Sequence, residues 1–211
     1  HNSNCADGRT AMVHLFEWKW TDIEQECARF LGPRGFCGVQ VSPPMEHIMA
    51  AGRPWWERYQ PVSYRLESRS GTRDQFVSMV ETCNDNNVRI YADAVINHMA
   101  GISSNSDVAP GSGGSDYDAA EGDFPAVPYT MDDFNTCDAC GECCCVEDDL
   151  NHEEVRDCRL FGLIDLNPKL PHTQDMIVAY LNDLIDIGVA GFRIDAGKHM
   201  WPEDLEVIFN R

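Results

Sequence analysis

Two short segments bring together residues that can act as nucleophile, acid or base. In Gly191-Phe192-Arg193-Ile194-Asp195, the two-residue period of a β-strand sets Arg193 and Asp195 on one face and Phe192 and Ile194 on the other. A guanidinium beside an aspartate favours the charged carboxylate, which suits a nucleophile rather than a general acid. The same spacing also suits a purely structural ion pair. In Asp93-Ala94-Val95-Ile96-Asn97-His98, Asp93, Val95 and Asn97 share a face and His98 follows at its mouth. That set reads either as a portion of a site or as a satisfied polar network in a core.

Such residues need a scaffold, and the hydrophobic pattern supplies one. Short apolar runs alternate with amphipathic stretches, the signature of a parallel α/β sheet. Strands are predicted over 12–16, 36–41, 88–96 and 189–194, the third apolar except for Arg89 and Asp93, as a strand covered on both faces requires. Thr21-Asp22-Ile23-Glu24 reads as a capping box, opening a helix with Ile23, Cys27, Phe30 and Leu31 on one face and Gly32-Pro33 as its stop. Thr72 and Gln75 form a second box, before Phe76, Met79, Val80 and Cys83. Ile177, Tyr180, Leu181, Leu184 and Ile185 mark a helix face ending at Gly188, and Pro202 opens a last helix whose Leu205, Ile208 and Phe209 face inward.

From 101 to about 151 this rhythm fails. The stretch is rich in Gly, Ser, Asp and Pro, carries Cys137, Cys140, Cys143, Cys144 and Cys145, and reads as a small inserted subdomain, because so long a structureless loop is improbable. Units of strand and helix running one way fit either an open doubly wound sheet or half of an eight-stranded barrel, with reacting groups at the strand ends. His14-Leu15-Phe16-Glu17-Trp18 stands where a Gly-rich dinucleotide fingerprint would follow the first strand, which argues against a nucleotide site.

Composition narrows the partners. The 211 residues hold 16 Lys+Arg against 35 Asp+Glu, a formal net charge of −19. Nucleic acids and anionic membrane surfaces call for clustered cations, so neither is expected. No run of about 18 apolar residues is present to span a bilayer. Ten cysteines point to an oxidising, extracellular compartment. The chain opens at His1 with neither Met nor an apolar leader, and reads as a processed product or a fragment.

The segment from Asp93 to His98, together with Gly191-Phe192-Arg193-Ile194-Asp195-Ala196-Gly197-Lys198-His199, resembles two signature segments of the α-amylases of glycoside hydrolase family thirteen. Arg53-Pro54-Trp55-Trp56-Glu57-Arg58-Tyr59-Gln60-Pro61, Val13-His14-Leu15-Phe16-Glu17-Trp18 and Gly38-Val39-Gln40-Val41-Ser42-Pro43-Pro44 narrow the resemblance to the animal-type, chloride-dependent branch. It runs from about Gly8 to Phe209 and weakens in the cysteine-rich insert. It implies the N-terminal half of a (β/α)8 TIM barrel with a small irregular domain inserted after strand three. The chain would then divide into a first barrel segment over 1–98, a calcium-binding, cysteine-rich domain over 99–167, and a second barrel segment over 168–211.

By the same resemblance, Asp195 would be the nucleophile of a retaining glycosidase, and Arg193 would position it, meet substrate and help bind chloride. Asp93, His98, Lys198 and His199 would contact the sugar. Trp55, Trp56 and Tyr59 would stack on glucose rings, whose C–H faces are apolar; packing beneath a long loop is the alternative for the Trp pair. Calcium would be held by Asn97, Asp165 and the backbone carbonyls of Arg156 and His199, with Asp157 a further candidate, all oxygen donors that suit a hard cation. Taken alone, Asp157 and Asp165 could equally be solvated surface acids. The family implies disulfides Cys27–Cys83 and Cys137–Cys158, with Cys140 able to take the place of Cys137, while Cys5 and Cys37 are read as tying the N-terminus to strand two. Thiols left over in the 137–145 cluster suit either extra local disulfides or, from their x2 spacing, a zinc knuckle.

The activity implied is endo-hydrolysis of α-1,4-glucosidic bonds in starch, glycogen and malto-oligosaccharides. The enzyme would be secreted and digestive, dependent on calcium and chloride, and monomeric at full length. An acid/base Glu and a third Asp are expected beyond residue 211, so this chain alone is expected to be an inactive fragment. The competing reading is a non-catalytic carbohydrate-binding relative of the same barrel. Asp195, Asp93, His98 and the Trp pair, all intact, speak against it.

Overall fold

The computed structural model describes residues 4–105, 108–138, 140–141 and 144–211. In chain order its main elements are β1 (Met12–Leu15), α1 (Trp20–Glu26), β2 (Gly38–Val41), α2 (Arg73–Asp85), β3 (Arg89–Ala94), β4 (His98–Gly101), α3 (His152–Asp157), β5 (Leu163–Asp165), α4 (Pro171–Ile187), β6 (Gly191–Ile194) and α5 (Pro202–Phe209). Strands β1, β2, β3 and β6 form one parallel sheet in that order. Sequential parallel strands joined by helices are the first half of a (β/α)8 barrel, with a small irregular insert between β3 and β6.

The register positions the site. Asp93 stands opposite Arg193, so two polar groups 100 residues apart in sequence become cross-strand neighbours. On the other face, Val39, Ile90 and Ala92 pack against Ile23, Phe76, Val80, Ile177 and Leu184 of the covering helices. Each large apolar side chain buried this way contributes about 1.5–3 kcal/mol.

Local signals explain where elements begin and end. The Thr72 hydroxyl accepts the Gln75 N–H while the Gln75 side chain accepts the Thr72 N–H, so the predicted capping box of α2 is formed. Helix α4 stops at Gly188 with φ +107°, a left-handed turn that favours glycine. Pro202 opens α5.

Other expectations are corrected. Helix α1 starts at Trp20, with Lys19 at the N-cap and no side-chain cap, so Thr21 caps nothing. The buried Trp20 ring packs edge-on to Phe76 and the Trp20 backbone N–H donates to the Ser70 carbonyl, and that anchoring sets the helix start. The helix runs on into a π-turn over Cys27–Leu31, which breaks the 3.6 period and leaves Phe30 exposed. Ile185 and Phe209 also stand exposed, because each lies at the edge of its helix's buried stripe. The strands are shorter than predicted because pairing limits them: β2 begins where β1 offers Met12, and β3 ends where β6 offers Ile194.

The insert has a second apolar core around Met99, Tyr117, Phe124, Tyr129, Ile164 and Leu166, with β4 and β5 paired antiparallel. Four disulfides are present among the described residues: Cys5–Cys37, Cys27–Cys83, Cys137–Cys144 and Cys140–Cys158. The expected Cys137–Cys158 bridge is therefore corrected. The Cys140 N–H donates to the Cys137 carbonyl, and this turn leaves Cys140 within reach of Cys158 and Cys137 within reach of Cys144. With Cys137, Cys140 and Cys144 oxidised, no group of residues suited to a zinc knuckle is found among the described residues. Cys143 lies outside the described residues, and Cys145 is half-buried.

Candidate active site

A cavity of about 460 Å³ opens at the C-terminal ends of the parallel strands. It is lined by Trp55, Trp56, Tyr59, Gln60, His98, Leu160, Phe161, Leu163, Arg193 and Asp195. Asp195 follows β6 directly and its N–H donates to the Ala94 carbonyl, which carries the strand pairing one residue past its end. The next residue, Ala196, has φ +50°, a conformation an alanine rarely adopts, and it turns the chain into the 3₁₀ turn Gly197–His199. Strained backbone of this kind clusters at functional sites.

Arg193 is the hub of the polar network. Its Nη1 donates to Asp195 Oδ1 at 2.6 Å and to both oxygens of Asp93 at 2.8 and 3.0 Å. Burial works against the guanidinium charge, but the two carboxylates outweigh it and push the Arg193 pKa upward. Asp93 is 0 % exposed and also accepts a 2.8 Å hydrogen bond from the Tyr59 hydroxyl. Burial pushes its pKa up to about 6, against the pull of Arg193 and Tyr59. Burial likewise raises the Tyr59 phenol, with Asp93 adding to the effect.

Trp55 and Trp56 sit on the 3₁₀ turn Trp55–Tyr59 and are 56 % and 43 % exposed. Trp55 contacts Phe16 and meets Tyr59 edge-on, with ring centroids 5.8 Å apart. Beneath them, Glu57 and Arg58 are buried in an ion-pair network with Arg53, Arg69 and Glu17, which fixes the turn. His98 is buried; its Nε2 lies 3.0 Å from the Tyr59 carbonyl and its Nδ1 3.2 Å from Asn97 Nδ2. Burial lowers its pKa, and these partners fit a neutral ring donating from Nε2.

The structure therefore brings Trp55, Trp56, Tyr59, His98, Arg193 and Asp195 to one cavity. Three residues expected to contact the sugar are not among those lining this cavity. Asp93 has no exposed surface and both its oxygens are occupied, so it holds Arg193 and Tyr59 rather than facing the cavity. Lys198 is exposed and lies 3.8 Å from Asp149, outside the lining. His199 is buried with Nδ1 2.7 Å from the Val155 carbonyl. Sequence reasoning did not single out Gln60, which lies within the 53–61 segment, or Leu160, Phe161 and Leu163, which lie within the predicted insert and belong to no motif.

Asp165 lies behind this wall. Its carboxylate accepts from Asn135 Nδ2 at 2.7 Å and Asn97 Nδ2 at 3.2 Å, and among the described residues it forms no salt bridge, with the Arg159 charge acting on it only from a distance. Burial pushes its pKa well above the carboxylate range. A buried carboxylate with only amide donors is costly, and it fits a site completed by a hard cation and further oxygen donors. The His199–Val155 contact brings the Arg156 and His199 backbones into the same neighbourhood. Asp157 Oδ1 accepts from Trp201 Nε1 at 2.8 Å and faces Lys169 Nζ at 3.4 Å, and its charge acts on Asp165. For an anion, all carboxylate contacts of Arg193 among the described residues run through Nη1, which leaves Nε and Nη2 to a further acceptor.

No protein-family model matches the chain. It is 53 % identical over 209 residues to an α-amylase of Pecten maximus, covering 99 % of this chain, and 51 % identical over 220 residues to α-amylase 1B of Homo sapiens, covering all of it. It spans 41 % and 42 % of those two proteins, so less than half the length of the curated relatives it matches. The crystal structure of α-amylase I from Eisenia fetida superposes with a TM-score of 0.93 at 49 % identity, over 98 % of this chain and 41 % of that one. A mutant of that worm protein, described as a maltohexaose complex, matches equally well.

Proposed function

As a homologue of the animal α-amylases over essentially its whole length, this chain carries, we propose, the nucleophile-bearing portion of an enzyme that hydrolyses internal α-1,4-glucosidic bonds of starch and glycogen with retention. The observation that carries the reading is Asp195, which stands on the wall of an aromatic-lined cavity at the strand ends with Arg193 Nη1 2.6 Å from its carboxylate. Glucose rings would lie against Trp55, Trp56 and Tyr59, placing an anomeric carbon before Asp195. The carboxylate attacks that carbon and forms a glycosyl ester as the bond to the leaving oxygen breaks. Water then cleaves the ester, regenerating Asp195. The proton taken by the leaving oxygen comes from a second carboxylic acid. Asp93, held by Arg193 and Tyr59, is not placed to supply it, so we assign that acid to residues outside these 211.

Asn97, Asp165 and the carbonyls of Arg156 and His199 would hold a calcium ion, and Arg193 would offer Nε and Nη2 to chloride. When bound, the calcium would neutralise Asp165 and tie the insert to the barrel, and the chloride would place a fixed negative charge beside Arg193. The four disulfides support a secreted, extracellular protein. Malto-oligosaccharides would be both short substrates and products.

Substituting Asp195→Asn in the full-length protein tests this reading. Release of reducing ends from starch should fall by at least about 10⁴-fold, in line with removal of a catalytic nucleophile, while maltohexaose still binds. Near-normal turnover would remove Asp195 from the mechanism. Retained binding by a wild-type protein that never hydrolyses starch would instead favour a carbohydrate-binding role.

A further inference from the structure

We propose that Phe161 is a sugar-stacking residue, an additional aromatic platform that the insert contributes to the cleft. The proposal rests on the glucan reading of the cavity and extends it to a residue outside the Trp55–Tyr59 turn.

Phe161 is 94 % exposed, the most exposed large apolar side chain among the described residues, and it lines the same cavity as Trp55, Trp56 and Asp195. No aromatic ring of the described residues contacts it. Its φ is +52°, a left-handed conformation that is a genuine outlier for a bulky aromatic residue. An exposed apolar ring gains nothing from the fold, and a strained backbone is retained only where the surroundings impose it.

Here the surroundings do impose it. Phe161 sits inside the 3₁₀ turn Leu160–Gly162, closed by the Leu163 N–H donating to the Leu160 carbonyl. On one side the Arg159 N–H donates to the Cys144 carbonyl. On the other, the Gly162 carbonyl accepts the Ile102 N–H, and Leu163 faces Gly101 in the β4–β5 pair. The turn is thus pinned at both ends while its apex projects a phenyl ring at the cavity. Leu160 and Leu163 flank it on the lining.

A pyranose ring has one apolar C–H face, and a rigid aromatic side chain meets such a face with little loss of conformational entropy. Trp55 and Trp56 come from the loop after β2, whereas Phe161 comes from the insert before β5. A longer glucan can meet both walls at once. The ring on Phe161 therefore serves longer chains more than short ones.

The test uses the full-length protein in an Asp195→Asn background, so that ligands are bound and not consumed. Maltohexaose and maltotriose are titrated calorimetrically against this parent and against Phe161→Gly, Phe161→Tyr and Trp55→Ala. Phe161→Gly should weaken maltohexaose about tenfold, equivalent to about 1.4 kcal/mol, and weaken maltotriose less. Phe161→Tyr should keep the parental affinity. Because glycine relieves the left-handed backbone, the thermal midpoint of Phe161→Gly should hold or rise.

Parental affinity for maltohexaose in Phe161→Gly, with a loss in Trp55→Ala, would overturn the role of Phe161 and leave the glucan reading standing. Weaker binding accompanied by a lower thermal midpoint would mark Phe161 as structural and overturn the proposal. A parent that binds no maltohexaose would overturn both.

Discussion

Arg193 Nη1 serves Asp93 and Asp195 at once, so the buried carboxylate and the cavity-facing one are held by a single nitrogen. That arrangement was half legible in the sequence. The two-residue period places Arg193 and Asp195 on one face, but the link to Asp93 depends on the β3–β6 register, which no local pattern encodes. Asp93, expected to contact the sugar, is buried here and bonded to Arg193 and Tyr59. Its folded-state pKa of about 6 lies above the value of about 3.9 for an unfolded aspartate. The folded chain therefore keeps this proton where the unfolded chain has released it. The contribution of Asp93 to stability is greatest below about pH 4, declines as pH rises towards 6, and is level above that. Urea unfolding at intervals from pH 4 to 7 should show a smaller decline across this window in Asp93→Asn than in the wild type. An equal decline in both would deny Asp93 its buried, proton-retaining environment.

At the scale of elements, helices whose caps agree with their buried stripe were readable and those set by tertiary contacts were not. Thr72 and Gln75 close a box at the start of α2, in register with buried Phe76, Met79, Val80 and Cys83. Thr21 offered the same signal in α1 and lost to Trp20, whose burial against Phe76 makes it the first helical residue. The cysteine cluster follows the same logic. Spacing allows several pairings, and the turn from Cys137 to Cys140 selects among them. Because the α2 box satisfies two otherwise unpaired N–H groups, Thr72→Ala should lower stability by about 1 kcal/mol in urea denaturation. A change within about 0.3 kcal/mol would show that tertiary packing alone sets the start of α2.

For the molecule as a whole, function depends on two bodies of structure meeting at the strand ends. The parallel sheet presents Arg193 and Asp195 on the end of β6, the loop after β2 presents Trp55, Trp56 and Tyr59, and the insert presents His98, Leu160, Phe161 and Leu163. The sheet was legible because its strands and helices are strongly periodic. The insert was not, because its short bridges and turns carry no period, and its walls became visible only with the chain folded. The central claim is that Asp195 becomes covalently glycosylated during turnover. The most direct measurement treats the full-length protein with a fluorinated α-glucosyl fluoride that forms the ester quickly and hydrolyses it slowly, and maps the labelled peptide by mass spectrometry. The label is expected on the peptide containing Asp195, and to be absent from Asp195→Asn. A label on another carboxylate, or none from an enzyme that still hydrolyses starch, would contradict the account.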